Sequence, residues 1–389
     1  MFTATITSAG TLKEEALYVT KALPPKGSVG PEGQKRIVLH TERGVLHLTG
    51  SDLEYRQATR GVILHKQEGE LRVAVKPEDL LAALKGWQPT YKSLAIEHNG
   101  VLKLDGVTVP CEEPAAALLG ESEEVFFTIP QDDLRDAFQA VAISLSPDET
   151  RPVLTGALMR YSAEGVTLFS SDTYRLTTYR VDSARGGIIG DLETPQQVII
   201  PGGLIRLYLD QKPDQRQGCV PVAFCVGEKT ITLRSDTVIL TARLVDGDFP
   251  NFERVIPDDL PQKRTLSARL FREAIEAVAP VAHRDSERVE VCFDSLGQKL
   301  VVTARDLAGT VCTNTQPGGT GDGWQQWFNG QWLTQALGLF DVLAGGKGSE
   351  VVIESDSPLR PIKLTSGFFP GVHVLMPMEQ FGCGKGAKK

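Results

Sequence analysis

The chain has 389 residues, of which 41% are hydrophobic and 23% charged. At roughly 100 to 200 residues per domain this suggests two to four globular domains, and it excludes a disordered or fibrous protein. No apolar run approaches the roughly 18 residues that cross a bilayer, and no basic cap precedes an apolar stretch at Met1-Phe2-Thr3, so a cytoplasmic protein is expected. The net charge of −8 argues against a broadly basic nucleic-acid surface. It leaves open a positive wall on an otherwise acidic molecule. Six cysteines, at 111, 219, 225, 292, 312 and 383, form no C-x-x-C pair and point to neither a zinc site nor a disulfide framework. Most read as buried thiols, with Cys383 exposed.

Taken in chain order, the first third opens with an amphipathic helix at Thr11-Leu12-Lys13-Glu14-Glu15-Ala16-Leu17, apolar at three- and four-residue spacing. A strand follows at Gly44–Asp52, and a second helix opens at Lys76-Pro77, where proline suits a first turn. Turn signals at His98-Asn99-Gly100 and Asp105-Gly106 mark closing hairpins. The middle third repeats the plan with a helix at Asp132–Phe138, a strand at Gly165–Asp172, a helix opening at Ile200-Pro201, and a hairpin at Gly227-Glu228. The last third has a helix at Arg269–Ile275, a strand at Gly297–Asp306 and a helix opening at the Asn329 cap. Three similar units, each with two helices on a layer of antiparallel sheet, imply a pseudo-symmetric α+β chain. The expected boundaries are 1–124, 125–257 including a linker, and 258–380, with 381–389 a flexible Gly- and Lys-rich tail.

One segment departs from this plan. Leu244–Pro257 (L-V-D-G-D-F-P-N-F-E-R-V-I-P) turns at Asp-Gly and then carries large apolar residues between two prolines that forbid a helix. Such side chains must bury, either in a linker packed between domains or against a surface groove that holds a partner.

This loop closely resembles the one joining the second and third domains of bacterial DNA polymerase III beta subunits, the sliding clamps. Three further motifs agree in order: Asp148-Glu149-Thr150-Arg151-Pro152-Val153-Leu154-Thr155-Gly156, Ser170-Ser171-Asp172-Thr173-Tyr174-Arg175-Leu176, and Val374-Leu375-Met376-Pro377-Met378. The likeness covers the second and third units well and the first more weakly, where Leu23-Pro24-Pro25-Lys26-Gly27 stands in place of an Arg-Pro-Val-Leu motif.

The resemblance implies a fold of three repeated clamp domains that closes into a ring as a head-to-tail homodimer around double-stranded DNA, bound without regard to sequence. It implies a hydrophobic pocket for short peptides of the DNA polymerase III alpha subunit, the clamp loader, repair polymerases and other proteins carrying a clamp-binding motif. Position by position the pocket would use Leu154, Ser171, Thr173, Tyr174, Arg175, Leu176, Pro250, Arg254 and Val255, joined by Leu359, Pro361, Val374, Met376, Pro377 and Met378. Leu, Val, Pro and Met side chains make a surface that can repack around different peptides, and Arg175 or Arg254 would bond a peptide carbonyl or carboxylate at the rim. DNA-facing cations would be Lys13, Lys21, Lys76, Lys85, Arg135, Arg206, Lys212, Arg269 and Arg272. Val107 and Val109 of one chain would meet Pro280 and Val281 of the other. Glu379 replaces the basic residue that family members commonly carry after Met-Pro-Met, and the chain runs on through 380–389, where Phe381 would fold back or the lysines touch DNA.

An enzyme is disfavoured, and no catalytic residue, cofactor or metal is expected. The six histidines, at 40, 47, 65, 98, 283 and 373, show no H-E-x-x-H or paired ligand spacing, and neither a P-loop nor G-x-S-x-G occurs. Asp52, Asp172 and Asp306 recur at equivalent places in the units and read as turn caps. The run Pro317-Gly318-Gly319-Thr320-Gly321-Asp322-Gly323 reads as a flexible surface loop. Two alternatives to a clamp stay open: a peptide-binding scaffold of the same fold that no longer closes on DNA, or a specialised second clamp with altered partners.

Overall fold

The computed structural model describes residues 1–24, 35–52, 56–85, 93–114, 127–162, 164–182, 196–212, 220–258, 260–282, 286–294, 298–346 and 348–379. The segment after Pro24, the tail with Phe381, Cys219, Cys383 and His283 lie outside them. Seven α-helices occur among the described residues: α1 (Ala9–Val19), α2 (Pro77–Ala83), α3 (Gln131–Ala142), α4 (Pro152–Thr155), α5 (Gly202–Leu209), α6 (Ala268–Val278) and α7 (Gly330–Leu343). Six were legible; the single turn of α4 was not.

Local chemistry accounts for the helix starts. Ser8 and Ser267 accept from the backbone N–H groups of Thr11 and Leu270 at 3.3 and 3.4 Å, and Asn329 accepts from Trp332 N–H at 3.0 Å. Pro77 fills the first turn of α2, where its missing N–H costs nothing.

The chain divides into two compact units, each described by itself. The first is carried mainly by Met1–Leu134 and Gly203–Val245. Its nine-stranded sheet runs in the order Cys111–Glu112, Arg72–Val75, Ile37–Glu42, Val45–Ser51, Arg56–Ile63, Val238–Arg243, Thr230–Arg234, Pro221–Val226 and Phe127–Pro130. A five-stranded sheet runs His65–Glu68, Phe2–Ile6, Leu94–His98, Leu102–Leu104 and Val107–Val109. The second unit, mainly Arg135–Arg185 and Asp246–Lys389, has its own nine-stranded sheet. The order there is Gln196–Pro201, Gly156–Ser162, Gly165–Ser171, Arg175–Asp182, Phe369–Leu375, Ile362–Ser366, Glu350–Ser355, Gln262–Ser267 and Thr320–Gly321. A four-stranded sheet of Val311–Pro317, Lys299–Arg305, Arg288–Phe293 and Gln325–Asn329 completes it.

The repeat read from the sequence is visible in these orders. Strands 72–75, 37–42, 45–51 and 56–63 recur as 196–201, 156–162, 165–171 and 175–182, then as 325–329, 288–293, 299–305 and 311–317. Each large sheet is a join between two repeats. Arg60 lies opposite Val238 in one join, and Arg175 opposite Leu375 in the other. Helices close the inner faces: Leu12, Ala16 and Val19 of α1 and Phe271, Ala274, Ile275 and Val278 of α6 are fully buried. A buried Leu, Ile or Phe contributes about 1.5–3 kcal/mol.

Two expectations need correction. The glycine-rich run after Pro317 is held in place rather than loose: Thr320 and Gly321 pair with Thr265 and Arg264, and the fully buried Arg264 guanidinium donates to the carbonyls of Gly318, Gly321 and Asp322 at 2.6, 2.6 and 2.9 Å. The same guanidinium sits 4.4 Å from the centroid of Phe293. Gly319, at φ 70°, passes so close to Thr265 and Leu266 that any Cβ would strike their backbone. Sequence reading saw the glycines and missed the arginine that needs bare carbonyls. Of the described cysteines only Cys225 is buried, while Cys111, Cys292 and Cys312 are half-buried; all four are free thiols.

Because Arg264 satisfies three carbonyls at once, Arg264→Leu should destabilise the second unit by about 3–5 kcal/mol. Hydrogen exchange should show residues 318–322 losing protection first, and unchanged protection there would refute the role assigned to this side chain.

Candidate partner-binding groove

The groove begins with register. Arg175 pairs with Leu375, and Leu375 with Ile362, so Tyr174, Met376 and Pro361 stand in a row at one end of the second unit's large sheet. Met376 N–H donates to the Tyr174 carbonyl at 2.8 Å, and Met378 N–H to that of Trp327 at 2.7 Å. One step in from this end Leu176 and Val374 face each other, 3% and 1% exposed.

Alternation decides which face each residue serves. Ser170 Oγ donates to the Val141 carbonyl of α3 at 2.7 Å, and Ser144, Thr177 and His373 join in a buried hydrogen-bond chain on that same side. Phe169, Leu176 and Val374 therefore face away from α3. On this outer face lies the apolar loop: the Phe252 ring sits 4.0 Å from that of Phe169, with Phe249 edge-on to it at 5.9 Å. Arg160 pins the loop through Glu253 at 2.7 Å.

The turn before strand 175–182 is built almost wholly from its own atoms. Asp172 accepts from the N–H groups of Tyr174 and Arg175 at 3.0 and 2.9 Å and pairs with Arg175 Nε at 2.8 Å. Ser171 Oγ donates to the Arg175 carbonyl and accepts from Thr173 N–H. Thr173 is held at φ 79°, a conformation that costs on the order of 1–3 kcal/mol and persists only when its surroundings fix it. Asp306 caps the equivalent turn in the last repeat, its pKa lowered by hydrogen bonds from Thr310.

Leu154 sits on α4, whose approach is set by Asp148 accepting from Thr150 N–H and Oγ1 at 3.0 and 2.7 Å. These bonds lower the Asp148 pKa. Leu154 is 4% exposed. Gln326 donates to the carbonyls of Ser357 and Arg360 and so fixes the turn that presents Leu359 and Pro361.

Leu154, Leu176 and Val374 are buried, while Tyr174, Val255, Leu359 and Met376 are large apolar side chains left exposed, Leu359 by 82%. Exposed apolar residues gathered on fixed backbone are what a docking groove requires. Pro250 and Arg254 are exposed, and Pro377 and Met378 half-buried. Arg175 departs from its expected rim role: its guanidinium is committed to Asp172, to Gln335 at 2.5 Å and to the Trp332 ring at 5.2 Å. Trp332, whose ring also stacks on Tyr174 at 5.4 Å, was missed in the sequence. Its signal was the place three residues beyond the Asn329 cap, where a side chain joins the helix start.

The nine helix cations divide by environment. Lys21 pairs with Asp210 at 3.1 Å, Lys212 with Glu14 at 3.3 Å, Arg269 with Glu273 at 3.8 Å, and Arg272 with Glu276 and Asp341, each at 3.6 Å. Lys76, Lys85 and Arg206 are exposed, while Lys13 and Arg135 are half-buried. Val107 is exposed on the outermost strand of the five-stranded sheet, Val109 is fully buried beside it, and Pro280 and Val281 form a short 3-10 turn after α6.

A family described as "DNA polymerase III beta subunit, central domain" matches residues 128–251. The chain is 26% identical over 283 residues to the beta sliding clamp of Escherichia coli K12, covering 69% of this chain and 72% of that one. It is 26% identical over 344 residues to that of Halalkalibacterium halodurans, covering 83% and 87%. In fold it is similar to a sliding clamp (DNA polymerase III subunit beta) of Pseudomonas aeruginosa solved with griselimycin bound, at a TM-score of 0.84 and 19% identity, covering 97% of this chain and all of that one. A beta subunit of Thermotoga maritima gives a TM-score of 0.80 at 16% identity, covering 98% of this chain.

The groove's inner layer makes a pH prediction. His373 is fully buried, and desolvation, aided by nearby Arg175, pushes its pKa from 6.5 down to about 3. The unfolded chain therefore takes up a proton that the folded one refuses, so stability is intact above pH 6.5 and is lost as pH falls toward 3. The slope should reach about 1.4 kcal/mol per pH unit. Urea midpoints at stepped pH should show it, and His373→Gln should flatten the profile.

Proposed function

We propose that the chain is a member of the sliding-clamp family of DNA polymerase III beta subunits and acts as a noncatalytic clamp that closes around duplex DNA as a head-to-tail dimer. The observation that carries this is the strand order. Strand 56–63 pairs with 238–243, and its repeat equivalent 175–182 pairs with 369–375. The remaining equivalents are Val311–Pro317 and Val107–Val109, the outermost strands of the four- and five-stranded sheets. Pairing Val311–Pro317 of one copy with Val107–Val109 of another would make a third join of the same kind, and two such joins close two chains into a ring of six repeats. On this reading residues 1–124, 125–257 and 258–380 are the three clamp domains. Strand Val311–Pro317, rather than Pro280 and Val281 alone, carries the far side of the dimer contact.

Helix cations would hold the ring on DNA through phosphates, which gives sequence-independent and salt-sensitive attachment. The groove around Tyr174, Val255, Leu359 and Met376 would take the linear peptide of a DNA polymerase III alpha subunit, a clamp loader or a repair polymerase. Mobile Met and rigid Tyr suit several peptides on one surface. One observation favours the scaffold reading instead: four of the nine cations already lie against carboxylates, which weakens the pull on DNA.

The clamp reading is tested by retention on nicked circular DNA, with a clamp loader supplied if loading requires it. A dimer that stays on circles and is lost when they are linearised supports it; a monomer, or equal loss from both, transfers the case to the scaffold. Val311→Asp should shift the dimer to monomer in sedimentation without lowering the melting temperature. For the groove, Tyr174→Ala and Met376→Ala should each weaken a fluorescent alpha-subunit peptide by about tenfold, near 1.4 kcal/mol. Anisotropy titrations that leave affinity unchanged would remove these residues from the peptide site.

A further inference from the structure

His40 and His47 share no helix-type spacing, yet a hairpin brings them face to face. Strands Ile37–Glu42 and Val45–Ser51 are joined by Arg43 and Gly44 alone, at φ 50° and 79°, the two-residue turn with both central φ angles positive. That turn fixes the register so that His40 lies directly opposite His47 and Glu42 opposite Val45. The imidazole rings stack with centroids 4.9 Å apart and planes 16° from parallel. Glu42, two residues from His40, projects on the same face. One ligand atom from each of His40, Glu42 and His47 lies within 4.8 Å of the others. A cavity of about 500 Å³ opens beside them, lined in part by His40, Glu42, Glu70 and Arg72.

We propose that His40, His47 and Glu42 form a binding site for a divalent transition cation of the zinc class. Two imidazole nitrogens and one carboxylate are the donor set such ions prefer, while magnesium and calcium want oxygen throughout. The histidines are half-buried and Glu42 is exposed, so side-chain rotation closes the ligand atoms to the roughly 2.1 Å an ion needs from each, with water at the open position. Two cations oppose the site. Arg72 lies opposite His40 on the next strand, and Arg43 approaches Glu42 at 3.8 Å. Glu70 lines the same cavity as Arg72 and adds a carboxylate there, and the Arg43–Glu42 pair is exposed to solvent and weak. A bound ion would clamp two strands of the first repeat near their turn, which independently of any DNA role makes the fold of this unit metal-responsive.

The test is a titration of the full-length reduced protein with Co2+, followed by its visible absorption. Binding with a nitrogen- and oxygen-type spectrum and no thiolate charge-transfer band is expected. His40→Gln and His47→Gln should each weaken it at least about tenfold, and exposed Glu42→Gln several-fold. Melting curves without metal should match those of the parent. No Co2+ uptake at millimolar metal, a thiolate band, or unchanged affinity in the His40→Gln/His47→Gln double variant would each overturn the proposal.

Discussion

An antiparallel strand with one side unpaired presents a row of N–H and C=O groups that must find partners or water, and every repeat in this chain ends in such a strand. Two of the three cases are settled internally, by the pairing of 56–63 with 238–243 and of 175–182 with 369–375. This accounts for the middle repeat contributing one half to each compact unit: its two sheets are consumed in two different joins. The candidate groove depends on the same pairing, because the Arg175–Leu375–Ile362 register puts Tyr174, Met376 and Pro361 in one row.

A groove of this kind has to keep apolar side chains exposed without letting them collapse on one another. The backbone under Tyr174 is fixed by Asp172 and Ser171, that under Leu359 by Gln326, and the overlying loop by Phe252 and Arg160. Rigid support of this sort lowers the ordering cost a ligand must overcome. The strained Thr173 fits the same logic, since strain survives where several bonds determine one conformation.

Six helices and the turns at Asp172 and Asp306 were legible because each rests on a local signal: a period of three to four, an Asn or Pro at a start, an Asp that caps N–H groups two to four residues on. Register across distant strands was not, and most of what sequence missed follows from it. Arg264 needs carbonyls more than fifty residues away, Trp332 meets Tyr174 from another repeat, and His40 meets His47 only once a two-residue turn is recognised. In the last case the clue was present in Arg43-Gly44, since a two-residue turn dictates every pair above it. The site residues themselves were named from family likeness; periodicity alone would have placed Val374 and Leu176 in an ordinary core, which their burial would not have contradicted.

The ion pairs sort the helix cations by how readily each could leave its partner. A lysine beside an aspartate on an exposed helix gains little from the pair, because water and salt screen both, and it can exchange that partner for a phosphate at small cost. Lys212 and Glu14, 84% and 60% exposed at their side chains, are such a pair. Arg272 is different: it is 30% exposed and leans on Asp341, only 11% exposed, so drawing it toward a phosphate would leave a sheltered carboxylate behind. Under the proposed clamp function, the exposed cations Lys76, Lys85 and Arg206 are the ones free to exchange partners with salt, whereas Arg272 bridges α6 to Asp341 of α7. A molecule of net charge −8 can follow DNA on these terms, provided its mobile cations share one face and its acidic groups lie elsewhere.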